Sequence, residues 1–192
     1  MRIIIFEGAD KVGKTTTISK LLNSLKEEGF KTLLLNLPFE YSESLTKEER
    51  NYRLRVTVNL LLDMSEHFDD NYICIIDRLH ISEKVFGNVL RGEYDEHLFN
   101  TIDILVAGLN ALLITVEPDS IQENFLKFKD EENLLDGLTH EQYFEIVNLF
   151  NDSSNDSRIK NKYKTKTKYL SNIKPEIIKM LEEGVKDDED NS

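Results

Sequence analysis

The chain has a single cysteine among its 192 residues, a deficit of basic side chains and no long apolar run. One thiol, Cys74, excludes an internal disulfide framework. Its place in the apolar run at residues 72–76, Tyr-Ile-Cys-Ile-Ile, marks it as a buried thiol in a reducing compartment. Lysine and arginine number 24 against 36 acidic residues, for a net charge of −12. That balance works against general attraction to nucleic acid or to an anionic membrane, so any polyphosphate must be held by a local cluster of donors. No stretch approaches the ~20 apolar residues of a membrane span. The N-terminal apolar run is too short for a signal peptide and is closed by Glu7, so the protein is expected to be cytoplasmic. The four histidines are scattered without metal-ligand spacing, which leaves no zinc site.

What is present begins with the loop from Gly8 to Thr15, Gly-Ala-Asp-Lys-Val-Gly-Lys-Thr. It follows the apolar run Arg2 to Phe6 and precedes an apolar-periodic stretch, so it lies where a strand becomes a helix. The spacing is G-x-x-x-x-G-K-[ST], the phosphate-binding loop in its required context. Chance would give the pattern on the order of once in a hundred chains of this length. Glycines let consecutive N–H groups curl toward an anion, and the helix start adds its positive end. Lys14 is placed to reach the β- and γ-phosphates, and the Thr15 hydroxyl to take a position on Mg²⁺. Gly8, Ala9, Asp10, Lys11, Val12, Gly13, Lys14, Thr15 and Thr16 are therefore the candidate ATP-binding residues.

The length suits one α/β domain, assigned to residues 1–185, with an acidic disordered tail at 186–192. Helical spacing of Ile18, Leu21, Leu22 and Leu25 predicts a helix from Lys14 to Glu28, stopped by Gly29. Residues 31–37 read as a buried strand ended by Pro38. Thr46 to Glu49 forms a capping box for a long helix to about His67, with Leu54, Val58, Leu61 and Leu62 on one face. A third strand at 72–76 delivers Asp77 and Arg78 at its C-terminal end, where ligands bind in open parallel sheets. Helices follow at about 81–91 and 95–107, the second burying Leu98, Ile102, Leu105 and Val106. The strand at 111–116 leads to Asp119 as an N-cap and a helix to about Lys129. A short lid is expected at 129–138, then a helix capped by Thr139 that ends near Asn151, and a turn cluster at 151–156. Residues 160–168 read as a solvated face or an edge strand, and Pro175 opens a last helix.

The motifs Phe6-Glu-Gly-Ala-Asp-Lys-Val-Gly-Lys-Thr-Thr16 and Asp77-Arg-Leu-His-Ile-Ser82, continued in step by Arg91 and Gly92, resemble thymidylate kinases within the P-loop nucleoside and nucleotide kinases. The resemblance covers residues 2 to about 150. It implies a three-layer P-loop NTPase fold, α/β, with a five-stranded parallel sheet flanked by helices and a short lid. It also implies ATP-dependent phosphorylation of a deoxynucleoside monophosphate, dTMP to dTDP, with Mg²⁺ arriving with ATP. Asp10 corresponds to the aspartate near the acceptor's 3′-hydroxyl. Lys11 corresponds to the loop position that carries a basic residue in one branch of the family, in keeping with residues 127–138, which hold no arginine. Lys127 and Lys129 are candidate helpers. Asp77 corresponds to the carboxylate that orients Mg²⁺ together with Thr15. Arg78 corresponds to the guanidinium on the acceptor's phosphate, and Ser82 and Phe86 to the downstream serine and aromatic of the acceptor side. Catalysis then rests on Lys14, Lys11 and Arg78. The expected partners are ATP and a deoxynucleotide or deoxynucleoside, and a second copy of the chain, with no nucleic acid and no membrane.

The departures fall on the acceptor side. Where thymidylate kinases place an arginine before a proline, this chain has Asn36-Leu37-Pro38, and Gly87 replaces a glutamine. Glu66 aligns with the helix arginine that reads the thymine carbonyl, which opens the choice of base. Arg50, Arg53 and Arg55 are either substitutes for the missing arginine or a solvated face. Two other readings stay open, a deoxynucleoside kinase and a nucleotide-binding regulator. The first needs a general base, for which Glu7 and Glu40 are the candidates.

Overall fold

The computed structural model describes residues 1–36, 45–130 and 138–168, together with helical positions 173, 175 and 177–179; of residues 127–130 only the backbone is described. Most of the expected lid, Pro38, Glu40 and the acidic tail lie outside the described residues.

Five strands, β1 (Arg2–Glu7), β2 (Lys31–Asn36), β3 (Tyr72–Asp77), β4 (Leu112–Glu117) and β5 (Asn161–Lys166), form one parallel sheet in the order β2-β3-β1-β4-β5. The helices are α1 (Lys14–Glu27), α2 (Lys47–His67), α3 (His80–Phe86), α4 (Glu96–Gly108), α5 (Ile121–Asp130) and α6 (His140–Asp156). The central strands are β1, β3 and β4. Their runs Ile3 to Phe6, Ile73 to Ile76 and Leu112 to Ile114 are buried, as a sheet covered on both faces requires. Edge strands β2 and β5 carry lysines, which discourage pairing with another chain. The lysine-rich stretch at 160–168 is thus the edge strand, in parallel register with β4.

Local signals fix several boundaries. Thr46 and Glu49 form the expected capping box on α2, and Thr139 and Gln142 the one on α6. At α5 the cap is Ser120 and not Asp119: the Ser120 hydroxyl accepts from the Glu123 N–H at 3.3 Å. Asp119 instead accepts from the Lys168 N–H beyond β5, at 3.1 Å. Helix α6 runs through the expected turn cluster to Asp156, because Ser153 and Ser154 are buried, the latter accepting the Thr115 hydroxyl at 2.7 Å. Helix α3 begins one residue earlier than expected and passes into a π-helical turn, Gly87–Arg91. On α4, Leu105 is exposed and Asp103 takes the inward position.

Candidate active site

Strand β1 ends in the loop because the backbone must turn under the edge of β4. Gly8 has φ +141°, and a Cβ there would stand 2.3 Å from the Val116 carbonyl oxygen, so no other residue fits. Ala9 and Val12 are buried and anchor the loop, whereas Lys11, Thr15 and Thr16 are exposed at its mouth. Gly13, at φ +84°, leads into α1. The Lys14 ammonium folds back into the loop and donates to the Gly8 carbonyl at 2.9 Å and to the Ala9 carbonyl at 2.6 Å. Burial pushes the Lys14 amine down to about 7, helped by the Arg78 charge and opposed by Asp10, Asp77 and Glu7.

Strand β3 delivers its last residue, Asp77, beside the start of α1. The Thr15 hydroxyl is 3.3 Å from Asp77 Oδ2, while Oδ1 of the same carboxylate is buried with no hydrogen-bond partner among the described residues. A hydroxyl next to a carboxylate with an unsatisfied oxygen fits a hard cation that takes its remaining ligands from phosphate and water. Among the described residues no group of three or more histidine, cysteine, aspartate or glutamate side chains is placed to hold a metal ion.

Arg78 leaves the strand at φ +74°, a left-handed conformation costly for a long side chain. This turn aims its guanidinium back at the loop: one nitrogen donates to the Gly8 carbonyl at 3.1 Å and to the Ser82 hydroxyl at 3.2 Å, the other to Asp10. The cation lies 5.1 Å from the centre of the Phe86 ring. The structure thus brings Asp10, Arg78, Ser82 and Phe86 together. Ser82 and Phe86 are themselves buried, and Phe86 also packs edge-on against Phe150, so both bear on the site through Arg78.

Three contributors, Asn124, Tyr143 and Thr167, could not be read from the sequence, and a fourth, Glu7, has another role than expected, because all four depend on tertiary neighbours. Glu7, a candidate general base for a deoxynucleoside kinase, is fully buried. It accepts from the Leu79 N–H at 2.8 Å, the Ser82 N–H at 3.4 Å and the Ser82 hydroxyl, capping α3 from β1. Asn124 and Tyr143 both donate to the Asp10 carbonyl, at 3.1 Å and 3.2 Å. Thr167, just past β5, donates to the Val12 carbonyl at 3.2 Å. The glycine-rich spacing gave no hint of these partners.

Two expectations for the acceptor side change. Arg50 is not on a solvated face: it is buried, pairs with Glu83 at 3.1 Å and Glu93 at 2.9 Å, and donates to the Leu45 carbonyl at 2.6 Å, while Arg53 and Arg55 are exposed. Glu66 stands near the C-terminal end of α2, just before the segment where Phe68 and Asp70 hold the N-terminal amine of Met1. That is the edge from which β1 and β3 start, a strand's length, about 20 Å, from the loop, so Glu66 does not face the site.

No family model matches the chain. It is 26% identical over 173 residues to the thymidylate kinase of Caldicellulosiruptor saccharolyticus, covering 80% of this chain and 82% of the relative. The chain is thus similar in sequence to a thymidylate kinase and shares the thymidylate kinase fold. Among solved structures of this fold, the YorR protein of Bacillus subtilis, in complex with phosphorylated GDP, superposes with a TM-score of 0.66 at 20% identity, over 94% of this chain and 95% of that one. Thymidylate kinase from Ehrlichia chaffeensis superposes with a TM-score of 0.61 at 16% identity, over 94% and 98%. Within this fold the pairs Lys14 and Thr15, Asp77 and Arg78 stand at the C-terminal ends of β1 and β3.

Proposed function

We propose that the chain transfers the γ-phosphoryl group of Mg·ATP to a deoxynucleoside monophosphate, with dTMP as the first choice of acceptor. The observation that carries this reading is the position of Arg78. Its guanidinium sits against both the loop that cradles the donor and Asp10, the expected sugar contact, so one cation spans the donor and acceptor halves. An oxygen of the acceptor's phosphate attacks the γ-phosphorus as the bond to the β-bridging oxygen breaks, leaving ADP. That nucleophile is already ionised at neutral pH and needs no general base. Catalysis is then positioning and charge neutralisation. Lys14 exchanges the carbonyls of Gly8 and Ala9 for phosphate oxygens, Lys11 supplies charge at the loop mouth, and Arg78 orients the acceptor. Thr15 and Asp77 would hold Mg²⁺, which when bound supplies neutralisation of the β- and γ-oxygens.

The burial of Glu7 weighs against a deoxynucleoside kinase, since three hydrogen bonds already occupy its carboxylate. The YorR complex with phosphorylated GDP is a reason to test guanine beside thymine as the acceptor base. Tyr52, Val56 and Leu60 form an exposed apolar stripe along α2, which supports the pairing of two copies. The deciding experiment incubates purified protein with Mg·ATP and each deoxynucleoside or its monophosphate, and resolves the products by ion exchange. The expected result is dTDP with stoichiometric ADP. Phosphorylation of a nucleoside, or no acceptor-dependent ADP at all, overturns the reading.

A further inference from the structure

The loop peptide that precedes Lys11 is gripped from outside the loop. The Asp10 carbonyl accepts from the Asn124 amide at 3.1 Å and from the Tyr143 hydroxyl at 3.2 Å, and the same amide also donates to the Tyr143 oxygen. Asn124 on α5 and Tyr143 on α6 are only 7% and 1% exposed. The Tyr143 ring packs 5.7 Å from Phe125, so phenylalanine could fill the same space. Two buried polar side chains converging on one oxygen are explained by what they hold, because burying them without partners would be costly.

What they hold is the plane of the peptide joining Asp10 to Lys11. A planar peptide can rotate only through ψ of the residue before it and φ of the residue after it. Fixing the Asp10 carbonyl therefore fixes φ of Lys11, which is +62°, in the left-handed region a lysine enters at a cost. A lysine freed from that grip would relax to negative φ and carry its side chain away from the loop mouth.

We propose that Asn124 and Tyr143 are positioning residues for Lys11, holding its backbone left-handed so that its ammonium is aimed at the phosphoryl group in transfer. This rests on the reading of Lys11 as the loop's catalytic charge. Asn124→Ala and Tyr143→Phe should each lower kcat by about tenfold, the worth of one or two hydrogen bonds, with KM for ATP changed far less. In a Lys11→Ala background the same substitutions should cost nothing further, because the group they position is gone.

The test combines this double-mutant cycle with NMR of the full chain, in which a strong intraresidue contact between the Lys11 amide and α protons marks positive φ. The expected result is loss of that contact in Tyr143→Phe and Asn124→Ala with the rest of the spectrum retained. Persistence of the contact in both variants overturns the proposal, as does an equal loss of kcat with or without Lys11. If Lys11→Ala leaves kcat unchanged, or no deoxynucleoside monophosphate is phosphorylated, the catalytic reading of Lys11 fails and with it the functional half of the proposal. The NMR comparison decides the backbone half in either case.

Discussion

Gly8 is constrained twice, by a positive φ and by the Val116 carbonyl 2.3 Å from where a Cβ would sit. Gly8→Ala should therefore destabilise the fold by about 2 to 4 kcal/mol, more than an ordinary loop substitution, and chemical denaturation measures it. A loss below about 0.5 kcal/mol would show that the loop can shift away from β4. Lys14 carries a different consequence. Its folded pKa, about 7, lies below the unfolded value of 10.5, so between those values the unfolded chain binds the extra proton. Ligand-free stability should rise across that window and flatten below it. Triphosphate binding restores the charge, so at pH 8 nucleotide should take up close to one proton, and at pH 6 almost none. Calorimetry in two buffers of different ionisation enthalpy reads this directly, and uptake independent of pH would rule it out. At this scale the loop spacing was legible because it is local, whereas the folded-back state of Lys14 arises from burial that no spacing encodes.

Among the elements, β1 and α3 are joined through Glu7. The carboxylate receives two backbone donors and the Ser82 hydroxyl in a fully buried place. Glu7→Ala should cost about 3 kcal/mol, since buried donors are left unmet, while Glu7→Gln should cost under about 1 because its carbonyl oxygen keeps the backbone bonds. Equal losses in urea titrations of the two variants would refute the capping role. Capping boxes at Thr46 and Thr139 could be read in advance, being sequences of four residues with a local mechanism. Asp119 could not, since its carboxylate is claimed by the Lys168 N–H just past β5 and the cap passes to Ser120. The extension of α6 was hidden for the same reason: residues that read as a turn are buried against β4.

Across the whole molecule, one buried polar knot ties α3, α4 and the connection from α6 to β5. His80 pairs with Asp103 at 3.0 Å, and Asp103 also accepts from the Ser157 hydroxyl at 2.5 Å and the Arg158 N–H at 2.7 Å. Burial alone would push the Asp103 carboxyl up, but these donors bring it down to about 2 from an ordinary 3.8. Its stabilisation is full above the unfolded value and is lost as pH falls through the folded one. The amount is on the order of 2 kcal/mol. Asp103→Asn should be clearly less stable than the parent at pH 7 and nearly equal to it at pH 2, as acid and denaturant melts can show. The stripe on α2 makes a second prediction at this scale: sedimentation should report a dimer that Val56→Asp converts to monomer, and a monomeric parent would contradict it. Strand existence was legible from apolar runs, but their spatial order was not, because parallel neighbours are chosen by the crossovers between them.

The bond from Thr167 to the Val12 carbonyl joins positions 155 residues apart, and the same hydroxyl reaches the Glu117 carbonyl at 3.3 Å. During synthesis the loop is made well before this brace, which arrives only when β5 has added itself to the far side of β4. A nascent chain that has exposed the whole of its phosphate-binding motif still lacks a rigid cradle, and triphosphate should gain a firm hold only after residue 167 has left the ribosome.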